Sequence, residues 1–180
     1  MKTSILHLNW RRREARNGVE ARDYLDFVVD GESLEALLQP GDNVGCLGWG
    51  AEAAEREAIE VLLGKRAPPP PSGRVPIFVC VACGGLDCGA VTVRIDRTAE
   101  GVSWSYFAFE HPADYEEPIF IPWDPPVGPF LFDRSQYGET LRARLDEISR
   151  WSNSGPLKPH QFRDGGEAVA AGAQAAGPPA

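Results

Sequence analysis

The stretch RVPIFVCVACGGLDCGAVTVRIDRTAEGVSWSYFAFE, residues 74–110, decides the fold. Within it Val75, Ile77 and Val79 alternate, then Val91, Val93 and Ile95, then Val102, Trp104, Tyr106 and Ala108. A period of two sends alternate side chains to one face of a strand, and β-branched and aromatic types suit that pleated surface. Phe107 and Phe109 fall on the opposite side of the third run. Three such runs with short connections predict an antiparallel meander.

Toward the N-terminus, two more runs read as strands: Ile5, Leu6, Leu8 and Trp10, then Tyr24, Leu25, Phe27, Val28 and Val29. Asp30-Gly31 breaks the second. Ser33 caps a short helix over 34–39, with Leu34, Leu37 and Leu38 on one face. Pro40-Gly41-Asp42-Asn43 ends that helix. The glycine-rich segment Val44-Gly45-Cys46-Leu47-Gly48-Trp49-Gly50 brings backbone close to a neighbouring element. Residues 51–64 predict a helix with Ala54, Ala58, Val61 and Leu62 on one stripe and Glu52, Glu55 and Glu57 elsewhere. Pro68–Pro71 is an extended surface spacer.

Toward the C-terminus, a Pro-rich segment (111–129) leads to Phe130-Leu131-Phe132. Tyr137, Leu141, Leu145 and Ile148 then mark a helix over about 135–150. The expected architecture is a single α+β domain over 1–151, a mainly antiparallel sheet with about three helices. Residues 152–180, rich in Gly, Ala and Pro, bury too little to offset their ordering entropy and are expected to be a disordered tail.

The whole chain, 180 residues with 43% hydrophobic and 24% charged, fits one ordinary soluble domain. Its net charge is −8, which argues against nucleic acid, where Lys and Arg must neutralise phosphates, and against an anionic membrane surface. The charge is uneven: Arg11, Arg12, Arg13, Arg16 and Arg22 give the start a basic character, and the body is strongly acidic. Arg11–Arg13 read either as a solvated loop between two strands or as a contact with an acidic surface, the protein's own or a partner's. MKTSILHLNW lacks the apolar run of a secretory signal, and no stretch approaches the ~18 apolar residues of a membrane span. The expected location is cytoplasmic, where thiols stay reduced, so the cysteines read first as thiols or metal ligands.

Three of the four cysteines stand in Val79-Cys80-Val81-Ala82-Cys83-Gly84-Gly85-Leu86-Asp87-Cys88-Gly89, between two strand patterns. Cys-x2-Cys followed by Gly resembles one half of a zinc ribbon or knuckle, a turn that lets two thiolates and nearby N–H groups face one tetrahedral cation. A fourth donor has to come from afar: Cys46 in its glycine-rich loop, or His111. The candidate metal ligands are therefore Cys46, Cys80, Cys83 and Cys88, with zinc as the cation. Two other readings stay open: reduced cysteines packed as small hydrophobes, and a redox pair. A thioredoxin-like pair would sit at a helix N-terminus, and no helix follows Cys80.

Together with Tyr24-Leu25-Asp26-Phe27-Val28-Val29-Asp30-Gly31, Val44–Gly50, Trp104-x-x-Phe107-x-Phe109-Glu110 and Val127-Gly128-Pro129-Phe130-x-Phe132-Asp133, this Cys-x2-Cys-Gly-x3-Cys-Gly loop resembles an uncharacterised bacterial family of actinobacterial type. Members of that family are sometimes labelled "oxidoreductase" automatically. The resemblance covers roughly 4–147 and implies one intact domain and little about activity. The family loop reads like Cys-Pro-x-Cys-Gly-Asp, whereas Val81 and Gly85 stand here for the Pro and the Asp.

No nicotinamide or flavin motif is present: Gly45–Gly50 has the wrong intervals for G-x-G-x-x-G, and no P-loop occurs. Five acids (Glu110, Asp114, Glu116, Glu117 and Asp124) lie between residues 110 and 124 without a Lys or Arg. They read as a solvated loop, as acid–base or metal groups around His111, or, with Tyr115, Phe120 and Trp123, as a protein-binding surface. The predicted partner-binding residues are Glu110, Asp114, Tyr115, Glu116, Glu117 and Trp123. The only thiol catalyst that suggests itself is Cys88, beside Asp87 and within reach of His111. The leading expectation is a non-enzymatic binding or regulatory module, immunity-like by analogy, that meets a protein partner and is braced by a zinc-holding Cys loop. The alternative is a metal- or thiol-dependent enzyme, an oxidoreductase using the Cys80/Cys83/Cys88 loop.

Overall fold

The computed structural model describes residues 2–111 and 119–153, with backbone only for 151–153. In chain order the elements are β1 (Leu6–Arg13), β2 (Arg22–Val29), β3 (Glu32–Ser33), α1 (Leu34–Leu38), β4 (Asn43–Gly45), α2 (Glu52–Leu62), β5 (Val75–Cys80), β6 (Ala90–Thr98), β7 (Gly101–His111), β8 (Ile119–Pro122), β9 (Phe130–Phe132) and α3 (Arg134–Asn153). They form two antiparallel sheets, β1-β2-β3 and β4-β5-β6-β7-β8, with β9 paired to the far end of β7. This is the α+β class expected. The tail beyond Asn153 lies outside the described residues.

The two sheets share one core. Leu6, Leu25, Phe27 and Val29 of the small sheet meet Ile77, Phe78, Val91, Val93 and Trp104 of the large one. Phe27 stands edge-on to Trp104 at 5.4 Å, and Trp104 in turn to Phe132 at 5.5 Å and Tyr137 at 6.1 Å. These are the offset geometries that aromatic quadrupoles prefer. Asp133 accepts the Ser135 and Gln136 N–H groups to start α3, which lays Tyr137, Leu141 and Ile148 on the core as spaced.

Several expectations shift. Arg11–Arg13 are not a loop but the end of β1, where each meets the protein's own acids: Arg11 with Glu35, Arg12 with Asp23, Arg13 with Asp42. The strict alternation of the third meander run breaks at a bulge: Thr92 pairs with Ala108 but Arg94 with Ser105, so β7 holds one extra residue. Tyr106, at φ 53°, is thereby thrown out to 72% exposure, and Phe107 joins Trp104 in the core. In α2 the apolar stripe is rotated: Ala54 is exposed, and Glu55 and Ile59 are buried with Val61 and Leu62. The Glu55 carboxylate is buried because it is paired. It accepts from Arg144 Nε at 2.7 Å and Nη2 at 3.1 Å, and from the Gly48 N–H at 2.8 Å.

The glycine-rich segment does bring backbones together. Leu25 N–H donates to Leu47 O at 2.9 Å, joining β2 to the segment after β4. A Cβ on Gly45 would lie 2.0 Å from Leu25 O. No side chain fits there.

Candidate metal centre

Cys80 ends β5, and Ala90 starts β6. The nine residues between form a wider loop than a tight hairpin tip, and its shape is set by what it packs on. Val81 is buried with Tyr24 and Val44 in a small second core flanked by Val19 and Trp49, and its N–H points to Asp42 O at 3.4 Å. That N–H is the group a proline at this position would lack. Gly84, at φ 68°, lies under the Trp49 ring, which Arg22 covers from 4.4 Å. Trp49 itself is fixed by its indole N–H to Gly45 O at 2.6 Å. Three of the sequence blocks quoted above, 24–31, 44–50 and 79–93, thus meet in space around the loop.

Gly89 closes the loop at φ 86°, and a Cβ there would stand 2.3 Å from Phe109 Cζ. Gly89→Ala is expected to cost about 1–2 kcal/mol for the left-handed backbone alone, and more for moving the Phe109 ring. A urea titration reads it as a lower midpoint with an unchanged slope.

The loop brings three sulfurs together. The Sγ atoms of Cys80, Cys83 and Cys88 all lie within 4.8 Å of one another, close enough to hold a metal ion, with Cys83 and Cys88 at 3.8 Å. Cys83 and Cys88 are exposed, and Cys80 is half-buried. The backbone supplies donors to them. The Cys83 N–H, then that of Ala82, points at the Cys80 sulfur and holds its pKa below the ordinary thiol value, and the Gly85 N–H reaches Cys83 Sγ at 3.3 Å. At Cys80 such donors favour the thiolate, the form that ligates. Cys88 is pushed up to about 11 by its hydrogen bonds with Cys83 and Cys80 and by their charge.

Cys46 does not join them. Its N–H donates to Ile77 O at 2.9 Å, and Ile77 is three residues back from Cys80, about 10 Å at ~3.3 Å per residue. It packs against the main core instead, where burial and the nearby Glu55 carboxylate push its thiol up to about 12. The sequence showed a fourth cysteine but not the register that carries it away. In the native chain Cys46 is expected to react with a maleimide at neutral pH at least about a hundredfold more slowly than Cys83, because thiolate is the nucleophile. The two should become equivalent in denaturant, and peptide mapping of the labelled chain checks both. His111, half-buried at the end of β7 opposite Ile119, is likewise outside the cysteine group.

Two members of the predicted partner surface have internal contacts. Glu110 is only 5% exposed: it pairs across the sheet with Ala90 and Phe120, accepts from Ser72 Oγ at 3.1 Å and faces Arg74 Nε at 3.9 Å. Trp123 turns its indole N–H inward to Leu38 O at 2.7 Å and packs on the core. Glu110 is buried, and Trp123 remains partly exposed. Asp114, Tyr115, Glu116 and Glu117 lie outside the described residues. Among the described residues no helix is long and apolar enough to cross a membrane.

Comparison with protein-family models, curated proteins and solved structures gives no match. The family resemblance therefore rests on its motif blocks alone.

Proposed function

We propose that the chain is a zinc-holding binding or regulatory module in which Cys80, Cys83 and Cys88 ligate one ion. The observation that carries this reading is the 3.8 Å between the Cys83 and Cys88 sulfurs. Two sulfurs of a tetrahedron with Zn–S bonds of ~2.3 Å stand about 3.8 Å apart, so this edge already has the spacing zinc needs. Thiolate donors select zinc over the hard cations Mg²⁺ and Ca²⁺. The backbone N–H groups on Cys80 and Cys83 play the outer-shell part, orienting the ligands and dispersing their charge. In the module reading, the ion ties the end of β5 to the start of β6 and steadies the surface built from Trp49, Arg22 and the loop. A protein is the partner class the acidic body suits best, since its charge repels nucleic acid and anionic lipid.

A cobalt(II) titration tests the site. One equivalent should give the intense visible bands of a tetrahedral sulfur-rich ion together with sulfur-to-metal charge transfer, both displaced by zinc. A weak, octahedral spectrum would remove the metal reading.

One observation favours the second reading, a metal-dependent enzyme. Among the described residues only three donors converge, and a zinc ion with three protein ligands keeps a position for water or substrate. Adding azide or a small thiol to the cobalt form separates the two. A changed spectrum means an open position and supports an enzyme, and an unchanged one supports the closed, bracing site.

A further inference from the structure

The same sulfurs that would hold the ion are arranged to release it. Cys83 and Cys88 are both exposed, and their Sγ atoms stand 3.8 Å apart. A disulfide needs ~2.05 Å, so closure asks for an approach of under about 2 Å. The segment that must give contains Gly84, Gly85 and Gly89 and pairs with no strand. Cys80 is held differently: it is half-buried, ends β5, and pairs across the ladder with Asn43. Cys46 is out of reach and packed on the core.

We propose that the loop is a redox-gated metal site, in which hydrogen peroxide or another hydroperoxide joins Cys83 to Cys88 and so discharges the ion. The proposal rests on the zinc-holding reading. Chemically, the exposed Cys83 sulfur, which ligates as thiolate and accepts the Gly85 N–H at 3.3 Å, attacks one peroxide oxygen. The O–O bond breaks, Cys83 becomes a sulfenic acid, and hydroxide leaves. Cys88 sulfur then displaces the second hydroxide as the S–S bond forms. Two thiolates lose two electrons, and one peroxide gains them. Cys80 remains as a single thiolate, too few to retain zinc. Reversal is thiol–disulfide exchange by a dithiol at two exposed sulfurs.

The test uses the full zinc-loaded chain and one equivalent of hydrogen peroxide. Released zinc is followed with a chromogenic chelator, remaining thiols are counted, and the bond is located by peptide mapping. The expected result is one zinc released and two thiols lost per peroxide, a Cys83–Cys88 disulfide, and Cys46 and Cys80 still open to alkylation after unfolding. Dithiothreitol should restore zinc binding. In Cys88→Ser no internal disulfide should form, and dimedone should trap the sulfenic acid on Cys83. A disulfide that includes Cys80, zinc that stays bound after Cys83 and Cys88 are joined, or a trio left intact by excess peroxide would each overturn the proposal. Running the oxidation on metal-free chain separates the two claims. If the disulfide forms but the reduced chain never binds zinc, the metal reading fails and the gate with it. If zinc binds and survives the disulfide, only the gate fails.

Discussion

Replacing Cys80 with serine is expected to lower the zinc affinity of the chain by more than about a hundredfold. Loss of an outer-shell partner alone costs about 10–100-fold, and Cys80 is both a ligand and the sulfur with the most backbone support: the Cys83 and Ala82 N–H groups point at it. A hydroxyl there keeps the volume but not a ready anion. The affinity of the native chain should also depend steeply on pH, because zinc competes with protons for three thiols. Cys88, with its pKa near 11, is still protonated at neutral pH without metal. Acidification therefore weakens binding, by more than about tenfold per pH unit if more than one proton is displaced. Chelator competition at several pH values measures both effects, and the fold itself should change little, since Cys80 ends a strand whose pairing is made by backbone.

Glu55→Ala is expected to destabilise the fold by about 3 kcal/mol, the lower end of the usual cost of removing one partner of a buried ion pair, because Arg144 keeps Glu147 at 3.0 Å and the Trp10 ring at 5.2 Å. Against a total stability of ~5–15 kcal/mol that is a large fraction. Glu55 and Arg144 are 6% and 3% exposed, so the variant removes two buried hydrogen bonds from the Arg144 guanidinium and leaves it the half-exposed Glu147. The Gly48 N–H would lose its acceptor as well. Because Gly48 precedes Trp49, and Trp49 covers Gly84, the disturbance should reach the cysteine loop and weaken zinc binding as well as stability. Pairing it with Arg144→Met, which removes the buried guanidinium that Glu55 faced, should recover part of the loss in a urea titration. A double variant no better than Glu55→Ala would mean that the packing around the pair matters more than its charge.

The fold was largely legible because its chief signal is periodic. The three meander runs, the two N-terminal strands and α3 announce themselves by spacing, and they lie where the spacing puts them. The misreadings have causes outside the local pattern. Two readings stayed open for Arg11–Arg13 because sequence does not show that Asp23 of β2, Glu35 of α1 and Asp42 before β4 come within reach of them. Glu55 looked exposed because its partner is 89 residues away. β8 hid in a proline-rich segment, and the β7 bulge interrupted the alternation that would have sent Tyr106 inward. For the site, Cys80, Cys83 and Cys88 were readable since a local loop brings them together. Cys46 was not separable from them, because only the β4–β5 register shows it three residues down the strand. Glu110 and Trp123 are polar and amphipathic residues on a segment that looked like surface, and their partners Ser72, Arg74 and Leu38 come from distant parts of the chain.

Elemental analysis of the tag-free chain after dialysis against zinc-free buffer tests the central claim most directly. The account predicts about one zinc per chain, lost in Cys80→Ser and Cys83→Ser and kept in Cys46→Ser. A chain that retains no zinc, or one in which Cys46→Ser abolishes binding as fully as Cys80→Ser, would contradict it.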